Sequence, residues 1–187
     1  RELYDIAKDP MQRTDVAGNF PDVVASLRLA HLQWYRTIKP GMQPSRIAIG
    51  SDVENPTELT SQEWVMPTGG PPWAHGHVTN RRIANGPWAI DIAKPGRYRL
   101  TLSRWPIYID KPMDSTFARV RVAGQEAAAE IEEPNKQTAV SFELDLPAGP
   151  ANLQSWLTTP DGKTHGANFV TVEHLKKTEQ RLGAWTL

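Results

Sequence analysis

From residue 46 onward, apolar side chains recur at every second position, in short runs separated by turn signals. Residues 98–102 alternate Tyr, Leu and Leu with polar residues, and residues 140–146 alternate Val, Phe and two Leu with Ser, Glu and Asp. The turn signals between runs include Pro95-Gly96, Ala123-Gly124, Ala148-Gly149 and Asp161-Gly162. A period of two is typical of half-buried β-strands. The segment therefore predicts a mainly β fold, an antiparallel β-sandwich or jelly roll.

The first forty-five residues follow a different pattern. Pro21 and Asp22 suit the first turn of a helix, and Lys39-Pro40-Gly41 ends it. Apolar and aromatic residues recur between these signals at helical spacing: Val24, Leu27, His31, Trp34 and Ile38. We expect a short strand within residues 1–19 and one amphipathic helix after it. The domain boundary then separates a strand-helix segment, residues 1–45, from a β-sandwich accessory domain, residues 46–187.

Charge and cysteine content exclude several classes of function. The 21 Lys and Arg balance the 21 Asp and Glu, so a nucleic-acid partner held by bulk charge is not expected. No apolar run approaches the roughly 18 residues of a membrane-spanning helix, so no membrane partner is expected. The chain has no cysteine, which excludes disulfides, zinc sites built on Cys and thiol nucleophiles.

Two neighbouring segments carry opposite charge. Residues 94–121 contain seven Lys or Arg and two Asp, whereas residues 122–147 contain one Lys and six acidic residues. Neighbouring strands with this bias predict cross-strand ion pairs on a solvated face. The alternative is an anion-facing patch built on arginines, namely Arg97, Arg99, Arg104 and Arg121.

The opening of the chain resembles a known motif. Residues Glu2–Gly18, which read ELYDIAKDPMQRTDVAG, resemble the motif near the end of the sulfatase family, which belongs to the alkaline-phosphatase-like hydrolases. Phe20–Tyr35 is similar to the helix that follows that motif. Ile47–Trp64 and Gly86–Pro106 are similar to the C-terminal extension of bacterial arylsulfatase-like proteins. The resemblance implies a C-terminal piece of a bacterial sulfatase, with a periplasmic or secreted location.

The resemblance also implies where the chemistry of such a parent lies. A formylglycine residue and a calcium ion serve the family's larger N-terminal domain, which would be the catalytic partner of this piece. Residues Met42–Arg46 read MQPSR and depart from the family's C/S-x-P-x-R motif, because Met cannot be oxidised to an aldehyde. We therefore predict no catalytic residue, no metal ligand and no cofactor in this chain, and we expect it to be inactive alone.

A loop rich in aromatic and polar residues is the candidate ligand site. Trp73 to Arg82 combines an indole, two histidines and basic side chains, which suits stacking of a sugar ring and hydrogen bonding to hydroxyl or sulfate groups. With two further tryptophans, the speculative carbohydrate-binding residues are Trp73, His75, His77, Arg81, Trp88, Arg104 and Trp105.

Each of these residues also has a purely structural interpretation. His75 and His77 would share a face on a strand and could reach one metal, but a third ligand is lacking and a solvated histidine pair is favoured. Trp88 and Trp105 stand at the ends of predicted strands, where core or corner packing is the alternative to a ligand platform.

Two functional hypotheses follow. The first is a non-catalytic C-terminal region of a sulfatase, acting as a structural wall or substrate-side accessory domain, with sulfated carbohydrate as a possible partner. The second is an independent carbohydrate-binding β-sandwich module, suggested by the seven tryptophans and the Trp73–Arg82 loop.

Overall fold

The computed structural model describes residues 1–42 and 45–175. The chain divides into two compact units, Arg1–Gln43 and Pro44–Leu187. We call them the helix unit and the sandwich unit. No helix among the described residues is long and apolar enough to cross a membrane.

The helix unit holds one long helix, α1, Pro21–Ile38. It starts with Pro in the first turn and carries Asp22 there, as the sequence predicts. The short strand predicted within residues 1–19 is absent: turns occupy this stretch and end in a 3-10 helix, Ala17–Asn19. Side chains explain the turns, because the Asp9 carboxylate accepts hydrogen bonds from the backbone N–H groups of Arg13 and Thr14.

The described part of the sandwich unit contains ten strands and a short helix, α2, His75–Thr79. The strands are β1 Ile47–Ile49, β2 Thr57–Thr60, β3 Trp88–Ile92, β4 Gly96–Ser103, β5 Phe117–Val122, β6 Gln125–Glu130, β7 Ala139–Leu146, β8 Gly149–Thr158, β9 Thr164–His165 and β10 Phe169–His174. One sheet has the order β1-β3-β8-β5-β6, with β9 on β8, and the other has the order β2-β10-β4-β7. This confirms the predicted mainly β sandwich.

Neighbouring strands pair antiparallel, with one exception within the described residues. β1 runs parallel to β3, with Ile47 opposite Ile90 and Ile49 opposite Ile92. A parallel pair requires a crossover connection, and here the chain passes through β2 of the other sheet and through α2 before it returns.

One core fills the space between the two sheets. The alternating residues of β4 and β7 that were predicted to share a face are the buried ones. They pack with side chains of the opposite sheet in one cluster, including Ile90, Val120, Leu153 and Leu157. Burial of this continuous apolar surface is the main stabilising contribution to the unit.

The opposite charge of residues 94–121 and 122–147 becomes cross-strand pairing on the outer face. β4 lies between β7 and β10, and Arg97 pairs with Asp145 at 2.9 Å while Arg99 pairs with Glu143 and Glu173 at 3.0 Å each. The predicted alternative, an anion-facing patch that includes these two arginines, is therefore not formed, because carboxylates already pair with them.

Candidate functional site

A cleft of about 380 Å³ lies at one end of the sandwich unit. Two loops form its walls: the first runs from Pro72 into α2, and the second follows β4. The lining residues are Thr60, Ser61, Gln62, Pro72, Trp73, Ala74, His75, Val78, Trp105, Pro106, Tyr108, Ile109, Lys111 and Phe169.

The first wall presents an indole to solvent on an anchored backbone. Trp73 is 68% exposed. Its loop is held because the Ser61 hydroxyl donates to the Pro72 carbonyl at 3.1 Å and the Gln62 amide donates to the Trp73 carbonyl at 3.4 Å. Ser61 is itself buried and donates its backbone N–H to the carbonyl of Asn168 at 2.7 Å. The backbone that carries the exposed ring is therefore anchored to the 3-10 helix Ser61–Glu63.

His77 completes this wall from inside the helix. Its Nδ1 accepts hydrogen bonds from the backbone N–H groups of Trp73 at 3.2 Å and Ala74 at 3.3 Å. Its ring meets the Trp73 ring edge to face, with centroids 5.7 Å apart. His77 thus positions the indole, whereas His75 is exposed and lines the cleft.

The second wall carries Trp105 and Tyr108. The Trp105 indole N–H donates to the carbonyl of Pro112 at 3.1 Å, and the Ser103 hydroxyl donates to the carbonyl of Trp105 at 2.7 Å. Tyr108 is 79% exposed. Cations cover the Trp105 ring, because the Arg104 guanidinium carbon lies 4.7 Å and the Lys111 Nζ 4.9 Å from its centroid.

A partly buried charge cluster ties the two walls together. Oδ2 of Asp114 accepts hydrogen bonds from Arg81 at 2.9 Å and from Arg104 at 3.0 Å. Arg104 also donates to the carbonyls of Val78 and Thr79 in α2, and Arg81 donates to the carbonyls of Met113 and Asp114. We call Arg81, Arg104 and Asp114 the wall clamp. It joins the C-terminal end of α2 to the loop that follows β4.

The pKa of Arg104 in the wall clamp and the pKa of the buried His165 are both lowered. Burial, together with the nearby charge of Arg81, lowers the pKa of Arg104, against the opposing effect of Asp114. Burial likewise lowers the pKa of His165, and the charges of Arg81 and Arg104 add to this effect. The Nδ1 of His165 lies 2.8 Å from the carbonyl of Gly166, so that nitrogen is the donor of a neutral ring.

The predicted site residues separate into three groups. Trp73, His75 and Trp105 line the cleft. His77, Arg81 and Arg104 hold its walls, so the prediction that these three contact ligand is replaced by a positioning role. Trp88 is wrong as a ligand platform, since it is fully buried and donates its indole N–H to the carbonyl of Thr60 at 2.7 Å.

Metal binding finds no support in the described residues, where no group of three or more His, Asp or Glu is placed to hold an ion. His75 and His77 lie two residues apart on a helix, and residues at that spacing do not face each other. The resemblance to sulfatases assigns the calcium ion to a larger N-terminal domain and not to this chain, and that expectation stays a prediction.

Sequence reasoning missed the cleft residues Gln62, Tyr108 and Lys111. Gln62 lies in a 3-10 helix, Ser61–Glu63, which follows β2 directly after Thr60. There the Glu63 carboxylate accepts the backbone N–H of Thr60 at 2.8 Å, which is a capping box. The spacing Thr60-x-x-Glu63 was the available signal for this end of the strand.

No family model matches the chain, and no curated protein matches it. Several solved structures do. A ruminal GH26 endo-β-1,4-mannanase has 16% sequence identity and a TM-score of 0.40, over 66% of this chain and 27% of that chain. The chain therefore spans about a quarter of that protein's length.

Two further similar structures are carbohydrate-binding modules. The module from Cellvibrio mixtus lichenase 5A, solved with cellotriose, has 10% identity and a TM-score of 0.39, over 66% of this chain and 100% of that chain. The CBM35 from Cellvibrio japonicus Abf62 has 15% identity and a TM-score of 0.35, over 67% and 92% of the respective chains.

These comparisons correct the first functional hypothesis. The interpretation as a non-catalytic sulfatase region is wrong, since these similar structures are a mannanase and two carbohydrate-binding modules. The resemblance of residues 2–18 to the sulfatase motif stays a prediction, as does the division into residues 1–45 and 46–187. Because the TM-scores lie below 0.5, these similar structures do not assign a function to the chain.

Proposed function

We propose that the sandwich unit is a carbohydrate-binding module that holds a sugar chain in the cleft between the Trp73 and Trp105 walls. The observation that carries this proposal is the Trp73 indole, 68% exposed yet anchored through its backbone to buried Ser61. The exposure of an apolar ring of this size to water is unfavourable in free energy, and a ligand that covers the ring removes this cost. Because the ring is already positioned, binding has little ordering cost.

A sugar fits the cleft because a pyranose combines an apolar face with a rim of hydroxyl groups. The apolar face stacks on an indole, while hydroxyls need polar partners at the edge. His75 and Gln62 line the cleft and supply such donors and acceptors. Tyr108, exposed on the opposite wall, offers a second aromatic surface with a hydroxyl at its tip.

The role proposed for the cleft is binding. The lining residues that the structure describes include no Asp or Glu, whereas glycoside hydrolysis ordinarily uses a pair of carboxylates. A polysaccharide ligand is consistent with a periplasmic or secreted location, which stays a prediction.

Calorimetric titration tests the proposal. It measures the heat of binding and does not depend on the fluorescence of the tryptophan that is mutated. We expect saturable heat with oligosaccharides from a panel of gluco-, manno- and galacto-configured trisaccharides and their acidic counterparts. Trp73→Ala should weaken that affinity by about tenfold or more, since truncated interface tryptophans commonly cost over 1.4 kcal/mol.

The matched control is Trp34→Ala, which removes a tryptophan of similar exposure, 57%, from the helix unit. It should bind as the parent protein does. Absence of binding to every sugar at millimolar concentration, or equal affinity in Trp73→Ala and Trp34→Ala, would contradict the proposal.

A further inference from the structure

The cleft lining is electrostatically one-sided. Of the lining residues that the structure describes, Lys111 is basic and none is an Asp or a Glu. Some acidic groups of the described surface pair elsewhere, for example Glu143 with Arg97 and Arg99 on the outer face of β4. Asp110, next to Lys111 in the sequence, is exposed and is not among the lining residues. The described lining therefore offers an anion a positive partner.

Lys111 differs from most other lysines of the described chain. Lys8, Lys94, Lys136 and Lys163 each form an ion pair with an Asp or Glu. Lys111 is exposed, and its Nζ instead lies 4.9 Å from the centroid of the Trp105 ring. A cation–π contact holds an ammonium group in place without neutralising it. Its positive charge and its hydrogen-bond donors thus stay available to a ligand.

The wall clamp adds to the positive potential behind this lysine. Two guanidinium groups share a single Asp114 carboxylate, so the cluster keeps an excess of one positive charge. The Arg104 guanidinium lies 4.7 Å from the same Trp105 ring that Lys111 contacts. Because Arg104 is buried, water screens its charge less than it would screen a surface group.

We infer that the cleft selects acidic glycans, with Lys111 pairing a sugar carboxylate or sulfate ester while Trp73 carries the ring. This inference rests on the proposed carbohydrate-binding function and names its ligand class. An ammonium–carboxylate or ammonium–sulfate hydrogen bond is charge-assisted and roughly twice as strong as a neutral one. A neutral sugar at the same place leaves the Lys111 charge unpaired.

Matched trisaccharides test the inference by calorimetry: galactose units, galacturonate units, and the same galactose units bearing sulfate esters. The parent protein should bind an acidic trisaccharide at least about tenfold more tightly than the neutral one, with affinity falling as salt rises. Lys111→Gln should bring the ratio of acidic to neutral affinity close to one. Lys163→Gln, which removes a lysine that pairs with Asp161, should keep the parent ratio.

The outcomes separate this inference from the proposed function. Preference for galacturonate alone or for the sulfated sugar alone supports the inference and identifies the acidic group. Equal affinity for neutral and acidic sugars would overturn it and leave carbohydrate binding intact. A preference that survives Lys111→Gln would overturn the role of Lys111. If no sugar binds at all, the proposed function itself fails.

Discussion

Two pairs of tryptophans in the sandwich unit differ in location: one pair lies in the core and the other lines the cleft. Trp64 and Trp88 pack edge to face in the core, with ring centroids 5.6 Å apart, and both are buried. Trp73 and Trp105 lie on the walls of the cleft, where Trp73 remains largely exposed. Trp88 begins β3, an inner strand of its sheet, and Trp64 packs against it from a loop, whereas Trp73 and Trp105 stand on the two loops that line the cleft.

This contrast separates folding from binding. The core pair stabilises the sandwich by burying apolar area, and its removal should leave a cavity. Trp73 contributes little to the free energy of unfolding, since an exposed ring gains little on folding. Mutation of the core pair should therefore lower stability, whereas mutation of Trp73 should weaken sugar binding.

The largest expected effect is on stability. Trp88→Ala removes a fully buried indole and its hydrogen bond to the Thr60 carbonyl, and should lower the free energy of unfolding by about 3–5 kcal/mol. Trp73→Ala should change it by about 0.5 kcal/mol or less. Urea denaturation followed by circular dichroism measures both. Similar losses in the two variants would remove the distinction between core and cleft tryptophans.

Mutation of the wall clamp should have an intermediate effect on stability and should also weaken sugar binding. Asp114→Ala leaves the buried Arg104 and the largely buried Arg81 without a carboxylate partner, which should cost about 2–3 kcal/mol of stability. The walls lose their common anchor, so the affinity for sugar should fall as well. Glu132→Ala, at an exposed position outside the clamp and outside the cleft lining, is the control and should change neither. Unaltered sugar affinity in a folded Asp114→Ala protein would refute the positioning role.

The sequence predicted the fold better than the site. Alternation identified β7 as Val140–Leu146, within one residue of the observed Ala139–Leu146. It missed β6, Gln125–Glu130, because three consecutive alanines carry neither β-propensity nor an apolar period. That strand forms since β5 offers it a complete antiparallel ladder, a tertiary effect that a local pattern does not contain.

Prediction of the site residues required knowing which indole rings face solvent, and composition alone does not decide this. The apolar run at Trp88 indicated a buried strand, which was the available reason to exclude it. Lys111 and Tyr108 gave no periodic signal, because an irregular loop brings them to the cleft. The prediction that Arg104 contacts ligand was wrong, because the sequence shows only that the residue is basic, whereas the structure shows that Asp114 pairs with it.

A smaller effect tests how tightly the core pair is packed. A Cβ added at Gly166 would lie 2.5 Å from an atom of the Trp64 indole, so Gly166→Ala should overpack the core and cost about 1–3 kcal/mol. Gly18→Ala, where nothing lies within 4 Å of the added atom, is the matched control. Thermal unfolding compares the two. Equal stability of both variants would mean that Trp64 has room to move.

The smallest effect concerns pH and the histidine behind the wall clamp. Burial lowers the pKa of His165 below its ordinary value of 6.5, and the nearby Arg81 and Arg104 charges lower it further. Below pH 6.5 the unfolded chain therefore binds a proton that the folded protein does not, so stability falls as the pH drops below this value. One such group contributes at most about 1.4 kcal/mol per pH unit.

Urea titrations at pH 7.5, 6.0 and 5.0 measure this effect. His165→Gln should lose less stability on acidification than the parent protein does. His31→Gln, on the exposed helix α1, should lose as much stability as the parent. Parallel pH profiles for parent and His165→Gln would mean that neither burial nor the clamp's charge lowers the pKa of His165 in the folded protein.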